Sequence, residues 1–262
     1  RLVSCNHRYR FVSLRGKLMP TNSTVGRGEK VASLVARQIV RNIVDADLTV
    51  GSPMEPEAVM LDRFGVSRAS LREALRILET HGLITIKPGP GGGPSVADVD
   101  SGDFARMATL FFQVLHVRFR EVVEARLIIE PVMAGLAATR HDPELEDRLM
   151  EIVGRGDEAD ADGEWIAASH EFHTMVLSMS GNSLLNLIGK ALKDIYTDRV
   201  AGLTFPAADR QHVRKVHREI AQAIASGDAQ VAETLMREHM IEYASSVEER
   251  HPGLMDEIVD WR

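Results

Sequence analysis

The chain has 262 residues, 44% of them apolar, and a formal net charge of −7, which gives enough material for a core and excludes a wholly disordered polypeptide. One cysteine, Cys5, excludes an internal disulfide framework and a cysteine-based metal site. No apolar run approaches the length of a membrane span and the basic first twenty residues lack a sustained apolar stretch, so the expectation is a cytoplasmic protein without signal peptide or membrane contact.

Residues 1–28 are expected as a tail, with Met19 a candidate natural start because residues 1–18 differ in character from the rest. From Glu29 to Asp45, apolar residues at Val31, Leu34, Val35, Ile39, Val40 and Ile43 follow helical spacing. Asp47 to Pro53 predicts a turn and residues 55–63 a second helix ending near Gly65. Ser67 is a suitable N-cap for a third helix that runs to about Glu79, with Gly82 as the glycine beyond its end. Leu83 to Lys87 predicts a strand, residues 88–94 (PGPGGGP) a loop, and Ser95 to Ala97 a short return strand. Helical patterns then cover about 102–115, 120–139, 143–153, 160–179, 183–200, 208–225 and 228–248, with Pro131 inside the second and breaks expected at 154–156 and at Phe205-Pro206. The fold class is therefore mainly α. A winged helix-turn-helix of three helices and a small hairpin spans 29–98, an antiparallel helical bundle spans 99–250, and 251–262 form a C-terminal tail.

The third helix carries Arg68, Arg72 and Arg76 at four-residue spacing, one basic stripe, and Leu71, Ala74, Leu75 and Leu78 on its other face. A helix packed down on one side and basic on the other suits entry into a DNA groove. The acidic balance does not oppose this. Residues 1–20 hold five basic and no acidic side chains, 21–98 hold nine of each, and 99–262 hold 17 basic and 29 acidic, so the negative charge belongs to the bundle. The glycines at 89 and 91–93 lack a following helix and a Lys-Ser/Thr pair, which argues against a nucleotide-phosphate loop and for a wing.

Phe64-Gly65-Val66-Ser67-Arg68, Leu71-Arg72-Glu73-Ala74-Leu75 and Leu78-Glu79 with Gly82-Leu83-Ile84 resemble the GntR family of bacterial transcription regulators over Glu29 to Ala97. Farther on, Glu124-Ala125-Arg126 with Glu130-Pro131, Phe172-His173 with Ser180-Gly181-Asn182, His217 with Ile220, Gly227-Asp228 and His239 resemble the FadR-type effector domain, FCD. The resemblance implies a homodimer that binds a double-stranded operator, usually as a repressor, under control of a small metabolite, often a carboxylate. It nominates Ser67, Arg68, Ser70 and Arg72 on the recognition helix and Gly89 in the wing as DNA-binding, with arginine suited to guanine and serine hydroxyls to phosphate. Ion pairing of Arg72 or Arg76 with Glu73, Glu79 or Asp62 is the alternative. Two departures, Ala58 where the family carries arginine and Pro90 where the wing carries a basic residue, predict weaker non-specific binding.

His173, His217 and His239 fall on three different predicted helices among apolar neighbours. Many FadR-type domains bind a divalent metal through an aspartate and three histidines. Here the histidines match, but the aspartate position, four residues before His173, holds Ser169 with His170 beside it. Such a set suits zinc, nickel or a similar metal, with water, His170 or an effector carboxylate completing the shell; the alternative is three hydrogen-bonded core histidines. Arg126 is the candidate grip for an effector carboxylate, with an ion pair to Glu130 as the rival role. Asn182 is expected as a helix cap. No acid–base partner sits at a motif-defining distance, so no enzyme is expected. The alternatives are a metal-dependent hydrolase-like enzyme and a non-sensing DNA-binding protein whose bundle serves dimerisation.

Overall fold

A computed structural model describes residues 27–89, 91–159, 161–200 and 206–260; of the tail expected over 1–28, residues 1–26 lie outside them, as does Phe205, while Arg27 and Gly28 belong to the first helix. The described residues form two compact units, 27–47 with 55–77, and 48–54 with 78–260.

The first unit contains α1 (Arg27–Asp45), α2 (Glu57–Phe64) and most of α3 (Arg68–Thr80). On α1 the buried stripe is Ala32, Val35, Ala36 and Ile39, while Leu34 is 45% exposed. Val35 and Ile39 of the expected stripe face inward, joined by the small Ala32 and Ala36, while Val31, Val40 and Ile43 are half-buried and Leu34 is exposed. On α3 the anticipated face holds: Leu71, Ala74, Leu75 and Leu78 are all buried. Gly65 ends α2 with φ +62°, its N–H donating to the Leu61 carbonyl. A left-handed residue is required there, and glycine adopts it without a Cβ clash.

The second unit begins with the hairpin. Gly82, at φ +68°, donates to Glu79 O and Leu83 donates to Leu78 O, the paired bonds of a Schellman motif that turn the chain out of α3. Strands β1 (Ile84–Lys87) and β2 (Gly93–Val96) pair antiparallel with Ile84 opposite Val96 and Lys87 opposite Gly93. Gly93 and Pro94, expected in the loop, belong to β2. Residues 51–54, expected as a turn, extend the sheet edge: Gly51 N–H donates to Val96 O, Val96 N–H to Ser52 O and Met54 N–H to Pro94 O. Pro94 fits because only its carbonyl is needed on that side.

Seven helices follow: α4 (Ser101–Val114), α5 (Phe119–Arg140), α6 (Pro143–Glu158), α7 (Asp162–Met179), α8 (Ser183–Val200), α9 (Ala207–Ala225) and α10 (Ala229–Arg250). Side-chain caps set several starts. Asp100 accepts from the N–H groups of Gly102 and Asp103, Asp142 from Leu145, Asn182 from Leu185 and Asp228 from Val231. The expected break at 154–156 does not occur; α6 runs through Gly154 and Gly156 to Glu158, because Leu149, Ile152 and Val153 are packed and hold the turn that the glycines leave weak. Helix α5 lies centrally, against α7, α8, α9 and α10. A core of Ala134, Phe172, Val176, Ile220, Ile224, Met236 and Met240 surrounds its second half.

Residues 251–260, expected as a tail, are bound to the bundle. Leu254–Asp256 form a 3-10 turn, Met255 and Val259 are buried, Phe119 N–H donates to Glu257 O, and Val259 N–H donates to Val117 O. The apolar Met255 and Val259 fill the space beside Phe119 and Ala105, which holds the segment in place.

Candidate DNA-binding face and buried histidine centre

Ser67 caps α3: its Oγ accepts from the Ser70 N–H at 3.1 Å and lies 3.0 Å from Ser70 Oγ. Arg68, Arg72 and Arg76 are all exposed, along a stripe of α3 that adjoins the buried one of Leu71, Ala74, Leu75 and Leu78. Arg68 and Arg72 lie one turn apart, with Ser70 between them in sequence. Arg72 has an ion-pair partner, but not one of the expected three: its Nε lies 3.4 Å from Glu57 Oε2 on α2, both side chains well exposed. A pair this long and this wet is worth little and opens readily when a phosphate or a base is offered. Glu57 was missed because it is 15 residues away and becomes a neighbour only when α2 and α3 cross. Gly89 is exposed with φ +97°, and its carbonyl accepts from Gly92 N–H to close the wing turn; a Cβ on Gly92 would lie 2.2 Å from Lys87 O, so that position needs glycine. Pro90 lies outside the described residues.

The three histidines, on α7, α9 and α10, converge. All are buried, and their ligand-capable nitrogens lie within 4.8 Å of one another. His217 Nε2 is 3.1 Å from His239 Nε2, which is 3.4 Å from His173 Nε2. Imidazole nitrogens around one metal at about 2.0–2.1 Å stand roughly 2.9–3.4 Å apart, so the two pairs made by His239 have the spacing of ligands to a shared ion. The rings are held from outside: Phe172 stacks on His217 with centroids 3.9 Å apart, and His173 stacks on His239 at 5.3 Å. Burial, reinforced by the neighbouring imidazoles, pushes His217 well below the ordinary histidine range and His239 down to about 3. Both rings are therefore neutral at pH 7, the form that binds a metal.

The support for His173 was not legible in the sequence. Its Nδ1 lies 2.6 Å from Glu130 Oε2, and Glu130 Oε1 accepts from Arg126 at 2.7 Å. Burial alone would raise the Glu130 carboxyl. The adjacent Arg126 charge and His173 outweigh it and hold the group down at about 2. An ionised Glu130 can only accept, so His173 donates from Nδ1, which leaves its Nε2 on the side of His239. A carboxylate behind a ligating histidine fixes tautomer and ring orientation. Signal for this role was absent because Glu130 and His173 lie 43 residues apart.

Arg126 is thus in the ion pair with Glu130, the rival role, and its guanidinium also lies 4.3 Å over the Tyr196 ring. It nonetheless borders a small cavity of about 20 Å³ beside the histidines, whose wall also includes Ser169, His170, His173, Lys193, Thr197 and His239. Among the described residues no aspartate or glutamate lines it. Ser169 faces this cavity and a second, smaller one that contains His217, and thus sits at the rim of the cluster one turn before His173. His170 lines the cavity but does not join the convergent set. Burial, then the charge of Lys193, lowers it to about 4 and keeps it neutral. Lys193 and Thr197, one turn apart on α8, carried no motif that could have nominated them.

Comparison with known proteins agrees with both halves. Residues 32–92 match the family described as bacterial regulatory proteins, gntR family, and residues 121–242 match the FCD domain. The chain is 28% identical over 204 residues to the HTH-type transcriptional regulator Mce2R of Mycobacterium tuberculosis, covering 74% of this chain and 82% of that one. It is 26% identical over 223 residues to the HTH-type transcriptional regulator LutR of Bacillus subtilis, covering 83% and 99%. Among solved structures, a Streptococcus agalactiae GntR protein superposes with a TM-score of 0.62 at 23% identity, over 82% of this chain and 99% of that one, which bears on the fold. No described helix is long and apolar enough to cross a membrane. With an N-terminal GntR match on the helix-turn-helix and an FCD match on the bundle, the chain belongs to the GntR family as a DNA-binding transcriptional regulator of the FCD-bearing type.

Proposed function

We propose that this regulator is a cytoplasmic homodimeric repressor whose operator binding is set by a small carboxylate, bound in the bundle cavity beside a divalent metal held by His173, His217 and His239. In this reading residues 29–98 bind DNA and residues 99–250 sense and dimerise. Ser67, Arg68, Ser70, Arg72 and Gly89 meet the operator: arginine forks on guanine, hydroxyls and the wing backbone on phosphate. Arg126 orients the effector carboxylate from the cavity wall while Glu130 neutralises it.

The observation that carries this reading is the pairing of a convergent histidine trio with an adjoining cavity that presents Arg126 and Lys193 and, among the described residues, no carboxylate. A carboxylate there can share the donors of Arg126 and Lys193 with their present partners Glu130 and Asp194. The metal, when bound, supplies a Lewis-acidic partner for the anion. Control of DNA binding then requires only that the anion bind one arrangement of the protein more tightly than another.

The test combines a thermal-shift screen of small organic acids on zinc-loaded protein with operator binding. A carboxylate that raises the melting temperature and releases DNA supports the proposal. One that raises it and strengthens DNA binding reverses the sign to activation. No response from any organic acid, with the protein fully metal-loaded, favours a bundle that serves dimerisation alone.

A further inference from the structure

We propose that Lys193 is the anion anchor of the cavity and that its partner Asp194 links occupancy of the cavity to the first turn of α4. This rests on the cavity being an anion site, as proposed above.

Helix α8 stands between the cavity and α4. Lys193, Tyr196 and Thr197 line the cavity, while Ala191 and Ile195, on another side of the helix, pack against Ala105 of α4. The two permanent cations of the wall are not equivalent. Arg126 is committed, with Nε and Nη2 each 2.7 Å from Glu130 Oε1 and its plane on Tyr196. Among the described residues, Lys193 pairs with its sequence neighbour: Nζ lies 2.9 Å from Asp194 Oδ1, with the lysine side chain 11% exposed and Asp194 31%. An ammonium has three donors on a flexible stem, so it can turn toward an anion in the cavity at small cost. Thr197 Oγ1, one turn along the same face, is buried without a hydrogen-bond partner and offers such an anion a second polar contact.

Asp194 has a second partner. Its Oδ2 accepts from Ser101 Oγ at 2.7 Å, and Ser101 is the first residue of α4. One carboxylate therefore bridges a cavity cation and the start of the helix that follows the hairpin. With Lys193 in place, Asp194 is fixed in the rotamer that meets Ser101. When Lys193 turns to an anion, Asp194 loses its counter-ion and samples hydrated rotamers. The Ser101 bond is then populated less, and the first turn of α4 opens more often. Asp100, which caps α4 through Gly102 and Asp103, remains as the second restraint, so the helix loosens without melting.

Hydrogen exchange on the full chain tests the link without any ligand. The amides of Ala105 to Met107, which bond to carbonyls of the first turn of α4, exchange several-fold faster in Lys193→Gln and Asp194→Asn than in wild type. Ser101→Ala gives the same acceleration, Lys193→Arg restores wild-type behaviour, and α10 is unchanged in all four. Wild-type exchange in Lys193→Gln, or faster exchange spread equally through α9 and α10, overturns the link. Titration with sodium acetate and sodium L-malate in the presence of zinc tests the anchor. For whichever anion binds wild type, Lys193→Gln raises Kd by about tenfold, as expected for losing one charge-assisted hydrogen bond, while Ser101→Ala leaves it within about twofold. An unchanged Kd in Lys193→Gln overturns the anchor. If neither anion binds wild type, the anion reading of the cavity falls, and the exchange result alone decides the Lys193–Asp194–Ser101 link.

Discussion

Replacing Glu130 by Gln removes one charge from the centre of the bundle while preserving shape and hydrogen-bonding atoms. Glu130 is 1% exposed and Arg126 4%, so the guanidinium loses its buried counter-ion without gaining water. A carboxyl held at about 2 rather than 4.5 corresponds to roughly 3 kcal/mol in favour of the charged form in the folded protein. That agrees with the ~3–5 kcal/mol usually lost when one member of a buried pair is removed. Urea denaturation of metal-free protein at pH 7 is expected to show Glu130→Gln less stable by about 3 kcal/mol, and thermal melts a midpoint roughly 6–12 °C lower for a unit of this size. Adding Arg126→Met removes the stranded charge, so the double variant recovers much of the loss. The pH dependence has a definite sign. A depressed carboxyl contributes stability that is present above its ordinary pKa and lost as the pH falls through the folded one, so the gap between wild type and Glu130→Gln narrows from pH 4.5 toward pH 2. A single variant within about 1 kcal/mol of wild type, or a double variant no better than the single, refutes the reasoning.

Removing one histidine tests the metal centre. Zinc at about 100 times its Kd stabilises wild type by roughly 2.7 kcal/mol, and His217→Ala is expected to lose that shift; an equal shift in both proteins places the ion elsewhere. On the DNA side, Arg68→Ala is expected to lose about 1–3 kcal/mol of discrimination between operator and scrambled duplex, and unchanged discrimination removes Arg68 from base contact. Glu57→Gln frees Arg72 and takes a negative charge off the DNA-facing side, so affinity for any duplex rises a few-fold at low salt and the gain fades with added salt. Weaker binding of Glu57→Gln instead assigns Glu57 to positioning Arg72 rather than restraining it.

The DNA-binding half was legible because its signals are local. Ser67 as a cap, Gly65 and Gly82 as left-handed residues, and the Leu71-Ala74-Leu75-Leu78 face depend on residues within a few positions of each other. They hold in the structure. What was missed there was membership and partner: Ala32 and Ala36 join Val35 and Ile39 on the inward stripe of α1 in place of Leu34, and Arg72 meets Glu57 rather than Glu73, Glu79 or Asp62. Composition cannot separate a small inward residue from a large half-exposed one. In the bundle, the helix spans were readable, yet Gly154 and Gly156 did not break α6, because packing outweighed propensity.

The sequence by itself determined the helix-turn-helix with its hairpin, the arginine stripe, and the three histidines as a set on separate helices. The first two are carried by residue type and short spacing, which backbone geometry converts directly into structure; the histidine set is carried by its resemblance to the FCD domain. Only the tertiary structure decided that the histidine nitrogens converge, that Glu130 stands behind His173 and neutralises Arg126, and that Lys193 and Asp194 lie between the cavity and Ser101. The physical reason is sequence distance. Most of these contacts join groups 22 to 93 residues apart, and the local Arg126–Glu130 pair gains its strength from burial that only the packed bundle supplies. The charges and lone pairs there are fixed by desolvation and by neighbours that no local pattern encodes.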